Sequence, residues 1–181
     1  MSDKLLEAAV ELVKEANKQV DEHMPGRLAS IVKQHAVAGV GAAWIPIPGA
    51  AIAAAAAAVW GMYFRINREL GVPFSENIIK SIATGVATNL AAYLGVLAVG
   101  EGLKLIPGLG SIVGAVVLSA AQYALLLASG YVYMRILTAV FKKNRTGNVS
   151  DAEMRAAMDD VLKDKAGIND FVQEAKSSYK K

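Results

Sequence analysis

The chain of 181 residues contains no cysteine. It therefore builds neither a disulfide framework nor a thiolate metal centre, and it carries no mark of its redox compartment. Histidine is nearly as scarce. His23 and His35 are the two present, each on a helix flanked by polar residues, and with no paired carboxylate they do not form a metal site. They read as solvated or interfacial positions. No Gly-x-x-x-x-Gly-Lys-Ser/Thr stretch occurs, which excludes nucleotide binding by a P-loop. No nucleophile–base pair stands out either, because Ser81, Thr84, Thr88, Ser111, Ser119 and Ser129 in the apolar stretches read as helix-packing contacts. No enzymatic activity, metal or cofactor is expected. The net charge of +3 falls far below the basic density of a nucleic-acid binder and suits an anionic membrane surface.

Charge is also missing locally. Residues Gln34–Phe64, Ser81–Gly100 and Leu105–Met134 form runs of 31, 20 and 30 residues without Asp, Glu, Lys or Arg. A bilayer core about 30 Å thick takes roughly 20 apolar residues as helix, and a charge at its centre costs at least ~2–3 kcal/mol. The middle of the chain is thus built for hydrocarbon or for very deep burial. Charges are pushed into both ends and two short connectors, which divides the chain into residues 1–34 (amphipathic helices), 35–141 (an apolar helical core) and 142–181 (a polar helical tail).

No segment alternates as a strand, so the expected fold is all-α: a membrane-type helical bundle with helical hairpins broken at Pro-Gly clusters and amphipathic helices at its ends. Residues 3–22 repeat Leu5, Leu6, Ala9, Leu12, Val13, Ala16 and Val20 at helical spacing. The opposite face carries charges that look zoned rather than paired, Glu7 with Glu11 and Lys14 with Lys18. Pro25-Gly26 ends this helix, and a second begins near Arg27. The first apolar run cannot be one straight span, because Pro46 and Pro48 each remove a donor and restrict the preceding residue. Pro46, Pro48 and Gly49 are expected to form the tip of a re-entrant or tightly packed hairpin. Pro107, Gly108 and Gly110 make a second turn, before a long helix over 111–141 that is apolar to Met134. Gly110 and Gly114 have the Gly-x-x-x-Gly spacing that lets helices approach closely. Ser75 reads as an N-cap for a helix over 78–100, and Ser150-Asp151-Ala152-Glu153 as a capping box for a short helix with Met154, Ala157, Met158, Val161 and Leu162 on one face. A weaker helix is expected near 169–179.

Basic clusters flank the apolar runs at Arg27/Lys33, Arg65/Arg68/Lys80 and Arg135/Lys142/Lys143/Arg145. The cytoplasmic side of a membrane protein is the positive one. The Glu101–Lys104 loop carries one charge of each sign, and one topology satisfies all four: the first run dips in and returns, the second crosses outward, Glu101–Lys104 lies outside, and the third crosses back. The first residues, Met1-Ser2-Asp3-Lys4, lack the basic leader and apolar stretch of a signal peptide, so both termini are expected to be cytoplasmic. Tyr63, Phe64, Arg65, Tyr131, Tyr133 and Arg135 fall where an interfacial aromatic-basic belt would sit. Asn89 and Gln122 are the intramembrane polar residues, which at that depth should find interhelical partners. The competing reading is a soluble bundle whose central helices are wholly buried, favoured by the alanine run Ala50–Ala58, since alanine inserts poorly alone but packs closely.

At the Pro-Gly turns a resemblance appears. His35-Ala36-Val37, Ile45-Pro46-Ile47-Pro48-Gly49-Ala50, Gly71-Val72-Pro73-Phe74-Ser75-Glu76-Asn77 and Leu105-Ile106-Pro107-Gly108-Leu109-Gly110 resemble the bacterial domain of unknown function numbered 697. That is a GTPase-associated family related to the YcjF-like inner-membrane proteins. The resemblance covers about residues 30–141 and implies a bacterial membrane-associated partner of a GTPase acting in trans. The chain departs from it in having no GTPase domain and in carrying Ala51 where an acidic residue is expected. Three functions follow as expectations: a non-enzymatic helical protein of the bacterial inner membrane that self-associates and remodels or scaffolds it, a pore former that is soluble until it inserts, and a soluble adaptor that docks a GTPase.

Overall fold

The structure, a computed structural model, describes residues 2–41, 50–72, 74–93, 111–144 and 149–163. The turns expected at Pro46, Pro48 and Gly49 and at Pro107, Gly108 and Gly110 lie outside these residues, as does the helix expected near 169–179. Six helices make up what is described: α1 Ser2–His23, α2 Gly26–Val40, α3 Ala50–Leu70, α4 Glu76–Tyr93, α5 Ser111–Lys143 and α6 Asp151–Lys163. The all-α class is therefore what the chain adopts.

The boundaries have local causes. Pro25 sits at φ −56°, ψ 139° between α1 and α2, an extended residue that turns the chain, and its carbonyl accepts the first bond of α2 from Ala29 N at 2.9 Å. Gly71 at φ +66° ends α3. Val72 N donates to Asn67 O at 2.9 Å and Gly71 N to Arg68 O at 3.3 Å, the paired bonds of a glycine-capped helix end. Ser75 Oγ then accepts from Ile78 N at 3.3 Å and opens α4. At α6 the reciprocal cap is complete, with Ser150 N donating to Glu153 Oε2 at 2.8 Å and Glu153 N to Ser150 Oγ at 3.3 Å. These bonds from Ser150 hold the Glu153 carboxyl below the usual carboxylate range.

α5 is the axis of the bundle, and the other five helices pack around it. From Ala120 to Gly130 every residue but Tyr123 is buried. That explains why its sequence has no polar stripe: a helix enclosed on all sides is apolar on all sides. α1 runs parallel to it, with Asn17 beside Tyr123 and His23 beside Tyr131. α2 runs antiparallel, with Gln122 meeting Gly39 and Gly130 meeting Val32. α3 is parallel again, and α4 returns from the Gly71 cap. α6 lies across α4 and α5. One core draws on all six, from Ala16 and Val20 through Leu126 and Leu127 to Met154 and Val161. Each Val, Leu or Ile so buried stabilises by ~1.5–3 kcal/mol, which outweighs the exposed ion pairs at ~0–1 kcal/mol each.

Two expectations are corrected here. The α1 charges are paired and not zoned: Lys14 meets Glu11 at 2.6 Å and Lys18 meets Glu15 at 3.5 Å, because residues three apart share a helix face. Asn89 makes no interhelical bond among those described; it is exposed and donates to Gly85 O of its own helix at 3.1 Å.

Close helix approach is set by glycines. A Cβ at Gly130 would lie 2.6 and 2.7 Å from the two Cγ atoms of Val32 and 3.2 Å from its Cβ. Val32 is β-branched and fully buried, so it cannot swing clear. Gly130→Ala is expected to destabilise by ~1–3 kcal/mol through overpacking. Gly26→Ala, where an added Cβ meets nothing within 4 Å, should be neutral. Denaturant unfolding followed by circular dichroism separates the two, and equal midpoints would refute the close-contact explanation.

Candidate functional site

Two features of the bundle invite a function: a set of polar bonds along its axis and a division of charge along its length. The polar bonds tie α5 to three neighbours. Tyr123 Oη donates to Asn17 Oδ1 of α1 at 2.9 Å. Gln122 Nε2 donates to Gly39 O of α2 at 2.7 Å. Tyr63 Oη of α3 donates to Ser129 O at 2.9 Å, and Tyr133 Oη donates to Asn67 Oδ1 of α3 at 2.8 Å. The interhelical partner expected for Gln122 is thus found. A buried polar group without such a partner costs ~1–3 kcal/mol, so each bond also fixes the sliding position of one helix against the next.

Tyr63 and Tyr133 stack face to face, with ring centroids 3.8 Å apart and planes 7° apart. Both are fully buried. The six residues grouped as an interfacial belt therefore separate by helix face. Tyr63 and Tyr133 point into the core, Phe64 is 44% exposed, Arg65 is exposed and donates to Gln34 at 2.8 Å, and Tyr131 and Arg135 are half-buried. Helical geometry explains the split, since neighbours in sequence sit about 100° apart on a helix with 3.6 residues per turn. Gly114 lies in the first turn of α5, and its partner in spacing, Gly110, is outside the described residues. His23 and His35 each turn Nδ1 to a carbonyl of their own helix, Gln19 O and Ile31 O, both at 2.9 Å.

The charge division follows from the helix directions. In α2 the last charge is Lys33, in α3 the first is Arg65, in α4 the last is Lys80 and in α5 the first is Arg135. Because α2 and α4 run against α3 and α5, all of these lie toward one end. Ion pairs link the elements there: Arg27 with Glu69 at 2.9 Å, Lys33 with Asp21 at 2.6 Å and Lys143 with Asp160 at 3.6 Å. Lys80 lies 4.9 Å over the Trp60 ring. Toward the other end α2 to α5 carry no charge. Val37 (65% exposed) and Ile112 (70% exposed) stand on the surface there. An open groove of about 420 Å³ runs between α1, α2 and α5, walled by Ala9, Val13, Val40, Val116 and Ala120 with Tyr123 at one side.

Among the described residues one helix, over Ala115–Lys143, is long and apolar enough to cross a membrane, at a mean hydropathy of 1.6, and 67% of its most apolar window is buried inside the bundle. No family model matches the chain and no solved structure does. Among curated proteins the chain is similar to magnetosome membrane protein 22 of Magnetospirillum gryphiswaldense, 33% identical over 107 residues, which is 59% of this chain and 55% of that protein. The chain thus spans about half the length of the curated relative it matches.

The tyrosine pair yields a ranked prediction. Tyr133→Phe strips Asn67, which is 3% exposed and whose Nδ2 is enclosed without an acceptor, of its side-chain bond. Tyr63→Phe removes a bond to a helix carbonyl. Tyr133→Phe is expected to cost ~1–3 kcal/mol of unfolding free energy and Tyr63→Phe less. The reverse order in urea unfolding would contradict the assigned bonding.

Proposed function

We propose that this chain is a non-enzymatic helical protein that associates with a membrane by the end at which α2 to α5 carry no charge. The single observation that carries the reading is the placement of every charge of α2 to α5 toward one end of the bundle. Burial accounts for the enclosed part of these stretches, but exposed positions such as Val37, Ala57 and Ile112 would take polar side chains in water. A bilayer requires them uncharged, because each charge placed at its centre costs at least ~2–3 kcal/mol. Two further facts support the reading: the span-length α5, and the partial likeness to a magnetosome membrane protein. The basic cluster Arg65, Arg68, Lys80, Arg135, Lys142 and Lys143 then meets anionic headgroups. By the positive-inside rule that end faces the cytoplasm, and the bacterial inner membrane is the membrane proposed.

A second reading has its own observation. Most of α5's apolar surface is covered by protein, which is what a chain needs in order to exist in water before it inserts. The two readings differ in where the protein waits and agree on the end that enters.

Fractionation followed by vesicle flotation tests them together. Recovery in the membrane pellet that resists a salt wash supports the first. Recovery in the supernatant, followed by flotation with added vesicles, supports the second. A monodisperse supernatant that floats with no lipid composition ends both. Ala57 is exposed on the uncharged stretch of α3. Ala57→Glu is expected to weaken vesicle partitioning at least about ten-fold while leaving the circular dichroism melting curve unchanged.

A further inference from the structure

α1 breaks the charge pattern of the bundle. It lies along the uncharged half of α5, yet it carries Glu7, Glu11 and Lys14, all exposed, with Lys14 lining the groove. If that half of α5 meets hydrocarbon, as the membrane reading above requires and on which this inference rests, α1 cannot stay where it is. We infer that the first half of α1, up to about Lys14, is a displaceable cover over α5, and that the face it hides is a surface for bilayer hydrocarbon.

The packing of α1 changes along its length in the way a cover requires. Its second half belongs to the main core through Ala16, Val20 and the following Met24. Its first half makes a separate small cluster in which Ala9 meets Val117 and Ala120, with Val13 and Val113 alongside. Among the residues whose side chains are described, this cluster is made of alanine and valine, which bury less area each than the leucines, isoleucines and tyrosines of the main core. The open groove lies beside it and leaves Val10 52% exposed, so the contact is not closed.

Between the two halves sits one polar latch. Asn17 accepts from Tyr123 Oη at 2.9 Å and donates to Val13 O of its own helix at 2.9 Å. Asparagine is neutral to unfavourable inside a helix. Opening at this point bares Val113, Val116, Val117 and Ala120 on a helix face with no charge. The freed segment keeps a charged face and an apolar face, as a helix lying at a headgroup boundary does.

The absence of native cysteine makes the test direct. Val10→Cys and Val116→Cys, both lining the groove, are joined by a short bismaleimide. Flotation with phosphatidylethanolamine–phosphatidylglycerol vesicles is then compared for linked and unlinked protein. The linked protein is expected to bind at least about ten-fold more weakly. A cleavable linker should restore binding on cleavage. Tyr123→Phe, which undoes the latch without a linker, is expected to lower the lipid concentration for half-binding about five-fold, the worth of one ordinary hydrogen bond. Equal binding of linked and unlinked protein, with Tyr123→Phe unchanged, overturns the cover while leaving the membrane reading intact. If no form binds vesicles, the membrane reading falls and takes the cover with it. If linking disturbs folding by circular dichroism, the Tyr123→Phe shift decides alone.

Discussion

The fold depends on one constraint: α5 has no face suited to water along most of its length. Ser111–Met134 carries no charge, and the helix is about 50 Å long at 1.5 Å per residue. Something apolar must cover it on every side. In the structure the cover is protein, with α1, α2, α3, α4 and α6 arrayed around it. Toward the basic end the cover is tight, with Leu126, Tyr133 and Ile136 fully buried. Toward the uncharged end an open groove lies between α1, α2 and α5, beside the cluster of Ala9, Val117 and Ala120. The same helix thus presents two degrees of enclosure, and the proposed membrane contact lies where enclosure is least.

An apolar helix packed all round has no natural register, because one hydrophobic neighbour serves nearly as well as another. Direction and register come instead from a few polar bonds and a few missing side chains. Gln122, Tyr123, Tyr133 and Ser129 each connect to a different point on α1, α2 or α3. Gly39 admits Leu126 and Ala58, and Gly130 admits Val32, where any Cβ would collide. A slide of one helical turn would break these bonds and strike these contacts together. Polar groups at this depth therefore specify the arrangement more than they stabilise it.

Much of this was legible in the residues. The ends of α1 and α3 and the starts of α4 and α6 follow from Pro25, Gly71, Ser75 and the Ser150–Glu153 pair, all local devices whose bonds are seen. The buried face of α6, with Met154, Ala157, Val161 and Leu162, follows from simple periodicity. The inward turn of Tyr63 and Tyr133 was not legible. On α5 the hydrophobic period is flat, so nothing in the sequence says which aromatic faces a neighbour and which faces out. Asn89 and Gln122 looked alike for the same reason. One points away from the packed face of α4, and the other sits where α2 and α5 touch. The charge-free runs showed that a low-polarity solvent is needed without showing how protein and lipid share that role. The Pro-Gly turns that carried the resemblance to a GTPase-associated family fall outside the described residues, and the GTPase link gains no support from the fold.

Depth-resolved fluorescence on single cysteines tests the central claim most directly. An environment-sensitive dye is placed at Ala57→Cys, on the uncharged stretch of α3, and at Ser150→Cys, at the cap of α6. In the presence of vesicles the account predicts a blue shift at position 57 and quenching there by a lipid-borne quencher, with position 150 quenched only from the water. Equal access of both positions to a water-borne quencher, with no lipid quenching at position 57, would contradict it.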